Sequence, residues 1–127
     1  METVPHNPTG GVYPTDDWVH AMEVRNPQRL LFVSGTMGLD SDGRPGDSLD
    51  EQLELVWNNI RTILASAWMT LENIVRVTSY LRDVSYAGAN AVARVKALNG
   101  RAVPTTAIVV QTLDSSWLVE IEVIAAA

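Results

Sequence analysis

The residues best suited to chemistry sit near the end of the chain. Glu120 and Glu122 lie two apart in a stretch that reads as a β-strand, so their side chains share one face. Val119, Ile121 and Val123 share the other. Two carboxylates on one face can serve as an acid/base pair, or form the polar side of an amphipathic strand. A second acidic group, Asp40-x-Asp42 with Glu51 further on, has the outline of a calcium loop. Its fifth and sixth positions are Arg44 and Pro45, where that loop needs an oxygen ligand and a glycine, so a turn is the better reading. Thr105 and Thr106 begin another predicted strand, as β propensity favours. Trp18, Trp57 and Trp117 are candidate packing anchors, and His20 is a surface or interface residue.

What is missing bounds the chemistry as firmly. The chain has no cysteine and two histidines, His6 and His20. Disulfides, thiolate nucleophiles, zinc–sulfur sites and an all-histidine metal cluster within one chain are excluded. Schiff-base chemistry would have to use Lys96 or the terminal amine. No Ser-His-Asp order, P-loop or GxGxxG is present. Fifteen acidic residues against nine basic ones give a net charge of −6, opposite to the balance of a protein that tracks nucleic-acid phosphates. No apolar run approaches the roughly 20 residues of a membrane span. The start, METVPHNPTGG, lacks the basic and apolar segments of a signal peptide. The expectation is a cytoplasmic protein without nucleic-acid or membrane partners.

The elements that must position these groups follow from periodicity. Residues 1–16, rich in proline and glycine, read as an irregular arm. Trp18 to Arg25 reads as a strand, Asn26-Pro27-Gln28 as a turn, and Leu30 to Val33 as a buried strand running into Ser34-Gly35, the two strands forming a hairpin. After the turn-rich segment 38–47, Ser48 and Glu51 have capping-box spacing. Leu49, Leu53, Val56, Trp57, Ile60, Ile63, Leu64 and Ala67 then repeat with helical period. Ile74 to Leu81 is β-branched and predicts a strand. Asp83 and Ser85 cap a second helix over Tyr86 to Leu98, ended by Asn99-Gly100. Two more strands, Thr105–Thr112 and Trp117–Ile124, flank a turn at Asp114-Ser115-Ser116. The predicted order is ββαβαββ, an α+β fold in a single domain over residues 1–127, its mixed sheet carrying both helices on one face. Leu31, Val33, Val75, Val77, Ile108, Val110, Val119, Ile121 and Val123 offer more apolar strand surface than two helices cover, which predicts an oligomer.

Four stretches taken together carry a resemblance: LLFVSGTMGLDSDG, LDEQLELVWNNIRTIL, IVRVTSYLRDV and VPTTAIVVQTLDSSWLVEIEVIA. In order and spacing the chain, from Trp18 onward, resembles the RidA family (YjgF/YER057c/UK114). The resemblance implies a fold like that of bacterial chorismate mutase and a homotrimer with ligand clefts between subunits. It also implies hydrolysis of reactive imines or enamines to a 2-oxo acid and ammonia, with no cofactor and no metal. By position, Glu120 matches the family glutamate that holds or activates water. Gly35 and Thr36 match the backbone segment that meets the ligand, Trp18 an aromatic usually tyrosine, and Asn90 a helix asparagine facing the cleft. Thr105 falls where archetypal members carry a substrate-clamping arginine, and a hydroxyl does not replace a charged fork. The chain therefore resembles a divergent member lacking that arginine, with Arg101 or another subunit's arginine as a substitute. Its implied activity is that of an imine/enamine deaminase-like hydrolase, acting by water addition or proton transfer. The alternative is a non-catalytic trimer that binds a small organic acid or a partner protein. Trp68 stands where the archetype has a glycine suited to a left-handed helix end.

Overall fold

The valines and isoleucines of the last strand decide the architecture. In a computed structural model describing residues 1–127, they run down the middle of the main sheet. The strands are β1 (Glu2–His6), β2 (Ala21–Arg25), β3 (Leu30–Met37), β4 (Ile74–Leu81), β5 (Thr105–Val109) and β6 (Val119–Ala126). The helices are α1 (Leu49–Ser66) and α2 (Ala87–Ala97). The main sheet has the order β3-β6-β4-β5, with β4 and β5 parallel and the other pairs antiparallel. Both helices lie on one face, giving the expected α+β arrangement.

Val119, Ile121 and Val123 are almost completely buried, together with Val33, Val77 and Leu81 from the neighbouring strands. They pack with Leu53, Val56, Trp57, Ile60 and Leu64 of α1. A central position buries such a strand most fully, and a one-residue slip would turn every valine to the other face, so the register is strongly specified. This resolves the apparent surplus of apolar strand surface. Most of the residues counted as surplus lie under the helices. The open face instead displays Phe32 and Ile108, 71% and 46% exposed, among polar groups.

The pairing differs from the expected hairpins. β2 pairs with β1, not β3, and β6 pairs with β3 and β4, not β5. Residues 2–6, expected to be irregular, form a strand in antiparallel register from Glu2↔Arg25 to His6↔Ala21. Pro5 is tolerated there because an outer strand has backbone groups outside any ladder. Arg25 contacts Glu2 at 3.1 Å and Glu23 at 2.8 Å, and His6 contacts Glu23 at 2.8 Å. All of these groups are exposed, so the ion pairs add little stability.

Three local details also depart from the periodic reading of α1. Ile63 is 38% exposed, whereas Gln52 is buried. Gln52 Nε2 donates to Gly46 O (3.0 Å) and Ser116 O (2.8 Å), and its Oε1 accepts from Leu118 N (2.9 Å). The amide thus ties the loop before α1 to the entry of β6. Ser48 Oγ accepts from Glu51 N at 3.2 Å, but the Glu51 carboxylate reaches back to Asp47 N (2.8 Å), one residue before the expected partner. At the other end Trp68 takes φ +57°. Its N–H donates to Ala65 O and that of Met69 to Leu64 O, each at 3.0 Å, the double bond of a Schellman motif.

Candidate active site

The open face of the sheet collects the polar residues of three strands. On β4, where Val77 and Ser79 point to the helices, alternation turns Arg76, Thr78 and Tyr80 outward. On β6 it turns out Glu120, Glu122 and Ile124. The register sets Tyr80 beside Glu120 and Thr78 beside Glu122. On β5, Thr106 lies beside Thr78 on this same face. Tyr80 Oη donates a short hydrogen bond to Glu122 Oε1. That bond, with burial and the nearby charges of Glu122 and Glu120, pushes the phenol above its ordinary value of 10.0, opposed by the positive charge of Arg76. Arg76 Nη2 donates to Thr106 Oγ1 at 3.0 Å.

Glu120 is placed differently from Glu122. It is half-buried and makes no hydrogen bond within the chain, so both carboxylate oxygens are free for a water or a ligand. Its position depends on β3. The β3–β6 register shifts between Val33↔Val123 and Thr36↔Ile121, so Ser34 and Gly35 oppose the single residue Glu122. This is a β-bulge, a device that frees backbone groups and re-aims side chains near functional sites. Glu120 lies against the bulge. A Cβ on Gly35 would come within 2.7 Å of Glu120 Oε2 and 2.9 Å of its Cδ. The glycine therefore makes room for the carboxylate. Thr36 Oγ1 donates across the bulge to Ser34 O at 3.0 Å.

Of the six residues singled out from the sequence, five fall in two places within one chain and Thr105 lies apart from both. Glu120 and Gly35 come together at the β3–β6 bulge, and Thr36 follows it with the buried Ile121 as its register partner, its side chain on the helix face. Trp18 and Asn90 go with α2. Trp18 packs edge-on to His20, with ring centroids 5.2 Å apart, and near Tyr13 at 6.5 Å. The adjacent Asp17 is bound through its Oδ1 (2.6 Å) and carbonyl (3.0 Å) to the buried Arg94 of α2. Asn90 is 3% exposed, and its Oδ1 has no partner. Thr105 is a correction. Its register partner is the core residue Val77, so it faces the helices, and its hydroxyl turns back to Val103 O at 2.9 Å. Alternation places Thr106 on the carboxylate face instead. Arg101 does not supply a clamp there either. Its Nη2 donates to Leu71 O at 2.9 Å, and burial lowers its pKa.

Arg76 and Tyr80 are the residues of this face that motif reading passed over. The signal was in IVRVTSYL, whose period of two puts both on the face opposite Val77. Asp40, the start of the calcium-like outline, closes its turn by accepting from Asp42 N and Arg44 N, each at 2.9 Å. A separate concavity between α1 and α2, lined by Leu53, Trp57, Ala93 and Lys96 among others, lies on the far side of the sheet from Glu120.

With this geometry in view, the comparisons with known proteins are consistent. The sequence model of the family described as Endoribonuclease L-PSP matches residues 11–127. The structure of YyfB from Yersinia pestis, titled a protein of unknown function of the conserved Rid protein family, superposes with a TM-score of 0.85 over 100% of both chains at 24% identity. The chain belongs to the RidA (YjgF/YER057c/UK114) family. A structure titled Protein YJGH is 30% identical over 85% of this chain and 82% of its own, with a TM-score of 0.71. Among curated relatives, the RutC family protein YjgH of Escherichia coli is 41% identical over 54 residues, 42% of this chain and 41% of its own length. The RutC family protein of Aquifex aeolicus is 33% identical over 72 residues, 56% of this chain and 55% of its own. The matched segments thus span about half or less of these curated relatives. No helix is long and apolar enough to cross a membrane.

Proposed function

We propose that this RidA-family chain acts on a reactive imine or enamine, by water addition or proton transfer, at a cleft between copies of the chain. The observation that carries the reading is Glu120. It is a half-buried carboxylate with no partner in its own chain, set beside a bulge whose glycine leaves space for it. A free carboxylate beside extended backbone can hold a water, orient it toward a C=N carbon, and take its proton as the C–O bond forms. Collapse of the carbinolamine then releases ammonia or an amine. No cofactor or metal is needed for these steps.

A cleft between copies fits the separation of the two residue groups. Trp18 lies away from Glu120 in one chain, and a homotrimer would bring such groups of neighbouring copies together, whereas Asn90 is buried within its own chain and does not reach a cleft between copies. Phe32 and Ile108, exposed on the open face, supply apolar surface for that contact. The acidic balance offers no basic groove for RNA, although the family description names an endoribonuclease. A cytoplasmic setting accords with the absence of cysteine.

The test is turnover of 2-iminobutyrate generated in place by an amino-acid oxidase, followed as 2-oxobutyrate release. Acceleration above buffer by the native chain, abolished in Glu120→Gln, supports the reading. Undiminished turnover in Glu120→Gln overturns the assigned role. The second reading, a non-catalytic binder of a small organic acid or a partner protein, rests on Thr105 standing where the archetype places its arginine. Catalytic acceleration would reject it.

A further inference from the structure

The segment from Glu2 to Arg25 is bound mainly to itself. β1 and β2 pair with each other and with no strand of the main sheet. The loop between them is closed by internal bonds. Asn7 Nδ2 donates to Thr15 Oγ1 at 2.8 Å, Asn7 Oδ1 accepts from His20 N at 2.9 Å, and the His20 ring meets Tyr13 O at 2.8 Å. These bonds gather the rings of Tyr13, Trp18 and His20, which contact one another pairwise, but they do not fix the cluster on the body of the chain. Two hydrogen-bonded ties do that. One is a long backbone bond from Val19 N to Val103 O at 3.4 Å. The other is Arg94 of α2, whose side chain is 5% exposed. Its Nη2 donates to Asp17 Oδ1 at 2.6 Å and its Nη1 to Asp17 O at 3.0 Å. The planar guanidinium thus grips one residue by its side chain and its main chain together, which holds it in orientation as well as in place.

We infer that Arg94 is a positioning residue, which through Asp17 sets the half-buried Trp18 and its aromatic cluster against the body of the chain. The carbonyl it binds carries the argument. Asp17 C=O and Trp18 N–H belong to the same planar peptide unit, so a donor fixed on that oxygen fixes the plane from which Trp18 leaves the backbone. The donor itself is fixed, because Arg94 is buried on a helix that packs on the core. A buried ion pair is a weak device for stability, since apolar residues of like volume often serve as well. What this pair supplies is geometry, delivered to one aromatic side chain. The consequence for catalysis rests on the proposed place of Trp18 at a cleft between copies. There Trp18 would meet the substrate without sharing in proton transfer at Glu120, so loss of Arg94 acts on KM and not on kcat.

The experiment uses the whole protein and Arg94→Met, which keeps the apolar stem and removes the charge and both bonds. The Asp17 side chain left behind is 36% exposed and can take water in place of the guanidinium. The protein is labelled with 5-fluorotryptophan, and the Trp18 line is assigned by its loss in Trp18→Phe. In Arg94→Met that line should move toward the shift of a free indole, while the line of the core residue Trp57 stays in place. Asp17→Asn, which keeps both oxygen acceptors and loses the charge, should move it less. With an imine substrate, Arg94→Met should raise KM roughly fivefold or more, with kcat within about twofold of native. Combined with Trp18→Ala it should raise KM no further than Trp18→Ala alone, as expected of residues acting as one unit. An unmoved Trp18 line in Arg94→Met overturns the inference. So does an equal shift of Trp57, which would mark a general rearrangement, and so do KM effects of Arg94→Met and Trp18→Ala that multiply. A Trp18 line that follows Arg94 in a protein without imine turnover would refute only the catalytic reading. Turnover through Glu120 with native KM in Arg94→Met would refute only this one.

Discussion

Gly35 is the residue on which the site geometry turns, and its role is steric. Its φ does not lie in the left-handed region, so the glycine is there for the space beside Glu120. In Gly35→Ala the new methyl would displace the Glu120 carboxylate, because the methyl lies on rigid backbone and the carboxylate on a rotatable chain. The expected outcome is at least a tenfold fall in kcat, with the melting temperature within a few degrees of native. Kinetics paired with thermal denaturation on one preparation checks this. Tyr80 supplies a second test. Its pKa is raised chiefly by the hydrogen bond to Glu122. A group raised in the folded state contributes stability below its unfolded value, here 10.0, and loses it as pH rises through the folded value. The contribution of the Tyr80–Glu122 pair should therefore hold at neutral pH and fade above pH 10. A tyrosinate titration of native protein against Tyr80→Phe should show one phenol ionising late. In Glu122→Gln that phenol should move back toward its ordinary range.

At the scale of elements, the same alternation that made the strands legible also explains what was misplaced. The buried faces of β4 and β6 could be read directly from Val77, Val119, Ile121 and Val123. The choice between Thr105 and Thr106 could not be read by counting back from Leu113. It depends on which β5 residue lies beside Val77, a pairing made across a crossover. The β1–β2 and β3–β6 pairings were hidden for a similar reason, since local turns do not reveal that β6 enters between β3 and β4. Gln52 escaped notice because a helical period sees a polar residue on an apolar face as noise, whereas its amide closes three backbone groups at once. The end of α1 yields a prediction of its own. Trp68 is 91% exposed and sits at φ +57°, a conformation that costs a residue with a Cβ about 1 kcal/mol. Trp68→Gly should keep the Schellman hydrogen bonds and stabilise the fold by a few tenths to about 1 kcal/mol, part of the gain being offset by the greater freedom of unfolded glycine. Denaturant unfolding at constant m-value measures it.

For the whole molecule, the distribution of chemistry matters more than its amount. An acidic chain with no cysteine and two histidines has placed a free carboxylate, a tyrosine-bound carboxylate and an unneutralised arginine on the sheet face left open by its helices. The groups drawn to α2, Trp18 and Asn90, lie elsewhere in the same chain. On the proposed reading, a trimer would bring Trp18 of one copy to the Glu120 of another, while Asn90 stays buried in its own chain. Mutation of Glu120 leaves the core valines of β6 untouched, so assembly and chemistry can be separated. The decisive measurement is the rate of 2-iminobutyrate hydrolysis by native protein and by Glu120→Gln, each shown by sedimentation to have the same oligomeric state. A native rate above buffer that falls to the buffer rate in the variant is the predicted result. Equal rates from the two proteins would contradict it.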